Sequence, residues 1–206
     1  MAKAKSVFFC QNCGAESSKW MGRCPQCGEW NTLVEEIIKE TKHSRTPSQG
    51  VGNQTAKPTA LPDIEISSIA RVSTTFGEID RVLGGGIVPG ALMLLGGDPG
   101  IGKSTLLLQV SQKVADTVGT VLYASGEESQ LQLKLRAERL HINSERLQVI
   151  ADTDLDHILE QAEAMTPSLL VIDSIQTMYT GDIDAAPGSV SQVRECTSRL
   201  LRFCKE

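Results

Sequence analysis

The chain has 206 residues, of which 40% are hydrophobic and 22% charged, and its formal net charge is −5. That length holds one sizeable core or a small unit beside a larger one, and the composition excludes a fibrous or wholly disordered chain. No apolar run approaches the roughly 18 residues needed to span a bilayer, and no long apolar stretch follows Lys3 and Lys5 as a secretory leader would require, so the expected location is the cytoplasm. The charge is unevenly spread: residues 1–60 carry eight Lys/Arg against five Asp/Glu, a net +3, which leaves −8 for the rest. A basic first segment on an acidic body permits nucleic-acid contact, although solvated surface alone accounts for such a bias.

Four of the six cysteines come first, at Cys10, Cys13, Cys24 and Cys27, in the spacing C-x2-C-x10-C-x2-C. Two such pairs on tight turns place four thiolates around a tetrahedral Zn²⁺, and with every corner filled the site is closed and structural. Gly14 and Gly28 follow the pairs, where knuckle turns need them. A unit of this size, about residues 1–36, is too small to fold on an apolar core, so the metal supplies its stability. Disulfides are the competing reading, and a chain with no export leader argues against them. Cys196 and Cys204, in a predicted C-terminal helix without partner ligands, are read as buried structural thiols.

Residues 37–62 are polar, with prolines and glycines and little to bury, and are predicted to form a flexible linker in which His43 is an ordinary solvated side chain. From 63 onward short apolar runs alternate with amphipathic stretches. Ala91 to Leu95, Thr120 to Ala124, Leu147 to Ile150 and Leu169 to Ile172 are predicted strands, with helices between them, which implies a parallel sheet with ligands at its carboxyl edge.

Gly97 to Ser104 read GDPGIGKS and fit G-x-x-x-x-G-K-[ST], the phosphate-binding P-loop. Gly97, Gly100 and Gly102 let the backbone turn sharply against a phosphate, and Lys103 supplies a point charge to the β/γ oxygens. Ser104 offers a hydroxyl to Mg²⁺, and the helix expected over Thr105 to Ala115 directs its positive end at the anion. At the end of the next predicted strand stand Glu127 and Glu128. One of them can orient and deprotonate an attacking water, but acids in the first turn of the helix predicted from Ser129 to Leu140 are also favoured by its dipole. Asp173 closes the apolar run LLVID and can hold Mg²⁺ through water or cap the following turn. A helix from about Val190 to Cys204 ends the pattern. Arg71, Arg81, Arg136 and Arg139 are read as ordinary surface in preference to DNA contacts.

The stretches FGEIDRVLGGGIVPGALMLLGGDPGIGKSTLLLQ, VLYASGEES and LLVIDSIQTMY together resemble the RecA/KaiC group of P-loop ATPases. The cysteine pairs enclosing KWMGRCPQCGEWNT ahead of such a core resemble the zinc-ribbon-bearing bacterial DNA repair members of that group, and the resemblance runs from Phe9 to Glu206. It implies an α/β fold, a RecA-like core with a parallel sheet after a small four-cysteine zinc ribbon, and a core that is C-terminally incomplete. It also implies ATP and Mg²⁺ at Gly97, Asp98, Pro99, Gly100, Ile101, Gly102, Lys103 and Ser104, with Thr105 lining the phosphates and Asp173 nearby, and Zn²⁺ on Cys10, Cys13, Cys24 and Cys27. Lys103 and Glu127 take catalytic roles in this reading, with Glu128 able to share the task of Glu127. The implied activity is DNA-dependent ATP hydrolysis driving branch migration. The implied partners are single-stranded and branched DNA, the recombinase RecA and further copies of the chain in a hexameric ring. Two other readings stay open: a signalling ATPase of the RecA/KaiC type, and a zinc- and nucleotide-binding module without turnover.

Overall fold

A computed structural model describes residues 5–38, 60–63 and 71–205. Most of the predicted linker, including His43, lies outside the described residues.

The first unit is a small antiparallel sheet in the order β2-β1-β3, formed by β1 (Lys5–Cys10), β2 (Glu16–Ser17) and β3 (Leu33–Ile38). Cys10, Ala15, Cys24 and Leu33 cluster inside it with Phe8 against them, and Val7 and Phe9 are buried as well. Both cysteine pairs turn the same way: the Gly14 N–H donates to the Cys10 carbonyl at 2.8 Å and the Gly28 N–H to the Cys24 carbonyl at 3.0 Å. Gly14 and Gly28 adopt φ of +72° and +77°, the left-handed region that a Cβ disfavours.

The second unit alternates helix and strand: α1 (Gly77–Val82), α2 (Lys103–Thr117), β4 (Val121–Ser125), α3 (Gln130–Arg139), β5 (Leu147–Ala151), α4 (Leu155–Met165), β6 (Leu169–Asp173) and α5 (Val190–Phe203). The three strands are parallel in the order β5-β4-β6. β4 is central and buried along its whole length, which is why VLYAS lacks a solvent-facing polar alternation. Side-chain alternation sorts the two faces. Tyr123 and Val171 pack with Leu108 of α2 and Leu133 of α3, whereas Ala124 packs on the other side with Leu155 and Ile158 of α4 and with Cys196 and Leu200 of α5. Asp173, two residues beyond Val171, therefore lies on the α2 face.

Polar residues stop and start these helices as their sequence suggests. Ser129 closes a capping box with Gln132, and Asp154 and Ser189 cap α4 and α5 through their side chains. Arg199 on α5 binds Asp156, Asp182 and Glu195, tying α4 and the preceding loop to that helix. The two units meet where the Arg194 Nη1 donates to the Gly14 carbonyl at 3.1 Å, close enough that a Cβ on Gly14 would lie 2.9 Å from Val190 Cγ1.

One predicted strand is corrected. Ala91 to Leu95 forms no strand, and every residue in it is exposed, Leu94 by 89%. Apolar side chains favour burial, but a strand also needs a neighbour for its N–H and C=O groups. Among the described residues no strand pairs with this run, and β6 has β4 on one side alone. The other predicted strands appear within a residue of their expected ends. Among the described residues no helix is long and apolar enough to cross a membrane.

Candidate functional site

The sulfur atoms of Cys10, Cys13, Cys24 and Cys27 lie within 4.8 Å of one another. Cys10 and Cys27 are 3.7 Å apart, as are Cys13 and Cys24. A tetrahedral zinc with Zn–S bonds of about 2.3 Å sets sulfurs about 3.8 Å apart, so two of the sulfur pairs already stand at the spacing that ion needs and the four together are close enough to enclose it. The surroundings act unequally on the thiols: against the Ala15 N–H, burial and the neighbouring sulfurs of Cys27, Cys10 and Cys24 push Cys13 up to about 12, whereas Cys10 and Cys27 are held down. The Thr32 hydroxyl, 3.2 Å from Cys10 Sγ, is the main cause holding that thiol down to about 6, with help from the Cys13 and Asn12 backbone N–H groups against the opposing effect of burial. Cys27 is lowered chiefly by the Glu29 N–H. Cys196 differs: burial pushes it up to about 11, as suits a packed, unreactive thiol, and Cys204 is partly buried and raised for the same reason.

The glycine-rich loop from Gly97 to Gly102 enters α2, whose first residues are Lys103, Ser104 and Thr105. Gly102 caps α2 in the left-handed conformation, φ +105°, and no side chain bonds to the helix end. The amino-terminal N–H groups thus meet no capping side chain and remain for an anion. A Cβ at Gly100 or Gly102 would meet nothing within 4 Å, so the loop's outer side has room for a phosphate chain. Lys103 Nζ donates to the Gly97 and Asp98 carbonyls at 2.8 and 2.9 Å, which keeps the ammonium over the loop.

The carboxylates gather at the carboxyl ends of β4 and β6, and the structure gives them different partners. The Glu127 Oε1 accepts from the Ser174 hydroxyl at 2.8 Å, and its side chain is otherwise exposed. Glu128 is an ion-pair partner of Arg136, in the last turn of α3, and its backbone N–H donates to Ser125 Oγ at 3.0 Å. Its second oxygen is buried without a partner. Asp173 accepts from the Tyr123 phenol, which reaches its Oδ2 at 2.5 Å. β4 and β6 are held together beyond the ladder by the Gly126 N–H donating to the Asp173 carbonyl at 2.9 Å. Glycine is needed there, because a Cβ would sit 2.0 Å from Thr177 Oγ1.

Tyr123, Ser174 and Arg136 were not singled out as site residues by their sequence. Tyr123 reads as a core aromatic in an apolar strand; its odd-numbered parity with Ser125, matched by Val171 and Asp173 on β6, is the one clue that it shares a face with the acid. Arg136 resembles a surface charge until α3 carries it back to Glu128. Arg71 donates to the Leu83 carbonyl at 2.8 Å and Arg81 pairs with Glu78 at 2.9 Å, whereas Arg139 is exposed in the last turn of α3.

A loop that can cradle phosphates, followed by a helix, beside a sheet edge bearing acids, defines a P-loop nucleotide-binding protein. The comparisons agree. A family model described as AAA domain matches residues 55–206, and one described as Rubredoxin metal binding domain matches residues 8–35. The chain belongs to the AAA-domain family. It is 56% identical over 206 residues to DNA repair protein RadA of Bacillus subtilis (strain 168), an alignment that takes in 100% of this chain and 45% of that protein. The protein of the same name from Listeria monocytogenes serovar 1/2a is 52% identical over 207 residues, again 100% of this chain and 45% of its relative. The chain thus spans less than half the length of these relatives.

Proposed function

We propose that this chain is the nucleotide-handling and zinc-bearing part of an ATP-driven DNA repair motor. The observation that carries the reading is the open, uncapped end of α2 at the P-loop on the sheet face that also bears Asp173. Repair is carried over from the relatives' name, and branched and single-stranded DNA, RecA and a hexameric ring come from the family resemblance. The expected compartment is the cytoplasm.

In this reading the backbone N–H groups from Gly97 to Thr105 hold the β- and γ-phosphates. Lys103 exchanges the Gly97 and Asp98 carbonyls for phosphate oxygens, which are stronger partners for an ammonium group. Ser104 and Asp173 hold a Mg²⁺ ion, Asp173 through water. Magnesium, when bound, neutralises phosphate charge and aligns the γ-phosphoryl group for attack. Glu127 orients the attacking water and accepts its proton, and the Ser174 hydroxyl sets the carboxylate's direction. Glu128, committed to Arg136, supports the start of α3. The four-cysteine unit holds Zn²⁺ as a structural ion.

ATP turnover measured with and without single-stranded DNA, in this chain and in the longer protein, tests the reading. Stimulation by DNA supports a motor, turnover indifferent to DNA favours a signalling ATPase, and nucleotide binding without turnover in both forms favours a binding module. Glu127→Gln should bind ATP and fail to cleave it. If Glu127→Gln stays active and Glu128→Gln does not, the base is Glu128.

A further inference from the structure

Tyr123 is fully buried at the centre of β4, enclosed by Leu108, Leu133, Ile142 and Val171. Four apolar neighbours from α2, α3, the loop after it and β6 leave the ring little rotational freedom, so its hydroxyl has a fixed place. That hydroxyl donates to the Asp173 Oδ2 at 2.5 Å, at the short end of the range for an O–H···O hydrogen bond. Burial, then the bond to Asp173, raises the phenol's proton affinity, so the group acts as a donor throughout the physiological range. A carboxylate has two oxygens, and this bond occupies one of them.

We infer that Tyr123 is a positioning residue for Asp173: the phenol fixes Oδ2 and so aims Oδ1 at the hydrated metal ion of the nucleotide site. The inference rests on the proposed role of Asp173 toward Mg²⁺. The geometry supports it in two ways. Strand register places Tyr123 opposite Val171 and Ser125 opposite Asp173, so the phenol spans one residue step along the α2 face to reach the acid. The donor also comes from the rigid central strand, whereas Asp173 is the last residue of β6 and otherwise has a turn after it. Removing the partner of a directly ligating group usually changes metal affinity by about 10- to 100-fold, and because Asp173 acts through water the low end of that range applies. The rival explanation is that Asp173 merely satisfies a buried phenol, which needs an acceptor wherever it is placed. The two differ in what happens when the hydroxyl alone is deleted, because that removes the phenol's need and the carboxylate's restraint together.

The test is fluorescent-ATP binding to the chain, titrated with excess Mg²⁺ and again with excess EDTA, for the unsubstituted protein, Tyr123→Phe and Asp173→Asn. Helical circular dichroism and zinc content serve as folding controls. The expected result is that Tyr123→Phe lowers the Mg²⁺-dependent gain in affinity by roughly 10-fold, with the affinity in EDTA unchanged, and that Asp173→Asn lowers the gain at least as far. A full Mg²⁺-dependent gain in Tyr123→Phe beside a lost gain in Asp173→Asn overturns the inference and leaves the metal role of Asp173 standing. An equal fall in Mg²⁺ and in EDTA also overturns it, since the effect is then on packing. A full gain in Asp173→Asn, or no nucleotide binding by the unsubstituted chain, refutes the parent reading and the inference with it.

Discussion

The two units of this chain solve the same problem, offsetting the entropy of an ordered backbone, by different physical means. The four-cysteine unit has a small apolar interior, Val7, Phe9, Ala15 and Leu33, and adds to it four sulfurs gathered at metal-ligand distance. The α/β unit covers both faces of a parallel sheet with helices and seals a fully buried central strand. Size sets the choice: a few dozen residues cannot bury enough surface to fold alone, and a metal ion supplies in four bonds what a larger unit draws from many contacts. The tryptophans mark the same division. Trp20 and Trp30, the chain's two tryptophans, are 59% and 66% exposed on the small unit, with the Arg23 guanidinium over the Trp30 ring, whereas Tyr123 in the large unit is sealed.

That division makes the comparison breakable, because tryptophan fluorescence reports the small unit alone and helical dichroism the large one. The largest effect should follow metal removal, since structural zinc contributes on the order of 10–16 kcal/mol in small peptides at neutral pH. Chelation, or Cys24→Ala, should change tryptophan emission and leave the helical signal at about 222 nm nearly intact. Joint loss of both signals would show that the contact of Arg194 with Gly14 makes the two units one cooperative body. The converse substitution is Lys103→Ala, which should abolish nucleotide binding and turnover without altering zinc content or tryptophan emission. Unchanged binding would show that the phosphate site has been misplaced.

A smaller effect on stability is expected from the apolar core. Leu108→Ala, at a site 1% exposed between α2 and β4, should cost about 2–5 kcal/mol and lower the melting temperature of the helical signal alone. The smallest effect concerns pH. His157 Nδ1 lies 2.6 Å from Asp152 Oδ2, and that bond raises the imidazole's pKa. Asp152 is lowered in spite of partial burial, by the Asp154 N–H and by His157. A raised histidine adds stability that is complete below its unfolded value, about 6.5, and is lost as pH rises through the folded one; a lowered aspartate adds stability above about 3.9 that is lost on acidification through its folded value. The pair therefore contributes most between those limits. Thermal melts should separate His157→Gln from the unsubstituted chain at about pH 5.5 and bring the two together at about pH 8.5; a constant difference would rule out titration of this pair as its source.

Within the α/β unit a second contrast separates what was legible from what was not. The ends of α3, α4 and α5 are capped by Ser129, Asp154 and Ser189, residue types whose preference for that place is local. α2 begins instead at a left-handed glycine with no cap, and its openness was readable from GDPGIGKS because the motif is itself a local backbone instruction. The carboxylates were readable as candidates but not as partners. Residue type and position alone leave Glu127 and Glu128 equivalent, and only the family resemblance favours Glu127; their surroundings become distinct when β6 brings Ser174 to one and α3 returns Arg136 to the other.

By itself the sequence determined what depends on near neighbours along the chain: the paired cysteines and their knuckle glycines, the P-loop, the helix caps and the apolar periods of β4, β5 and β6. The tertiary structure alone decided what depends on neighbours across space. It left Ala91 to Leu95 unpaired and exposed despite an apolar composition, because hydrophobicity marks a segment for burial without supplying the adjacent strand. It also joined Tyr123 to Asp173, residues 50 apart in the chain, because parallel pairing and alternation set both side chains on one face of the sheet.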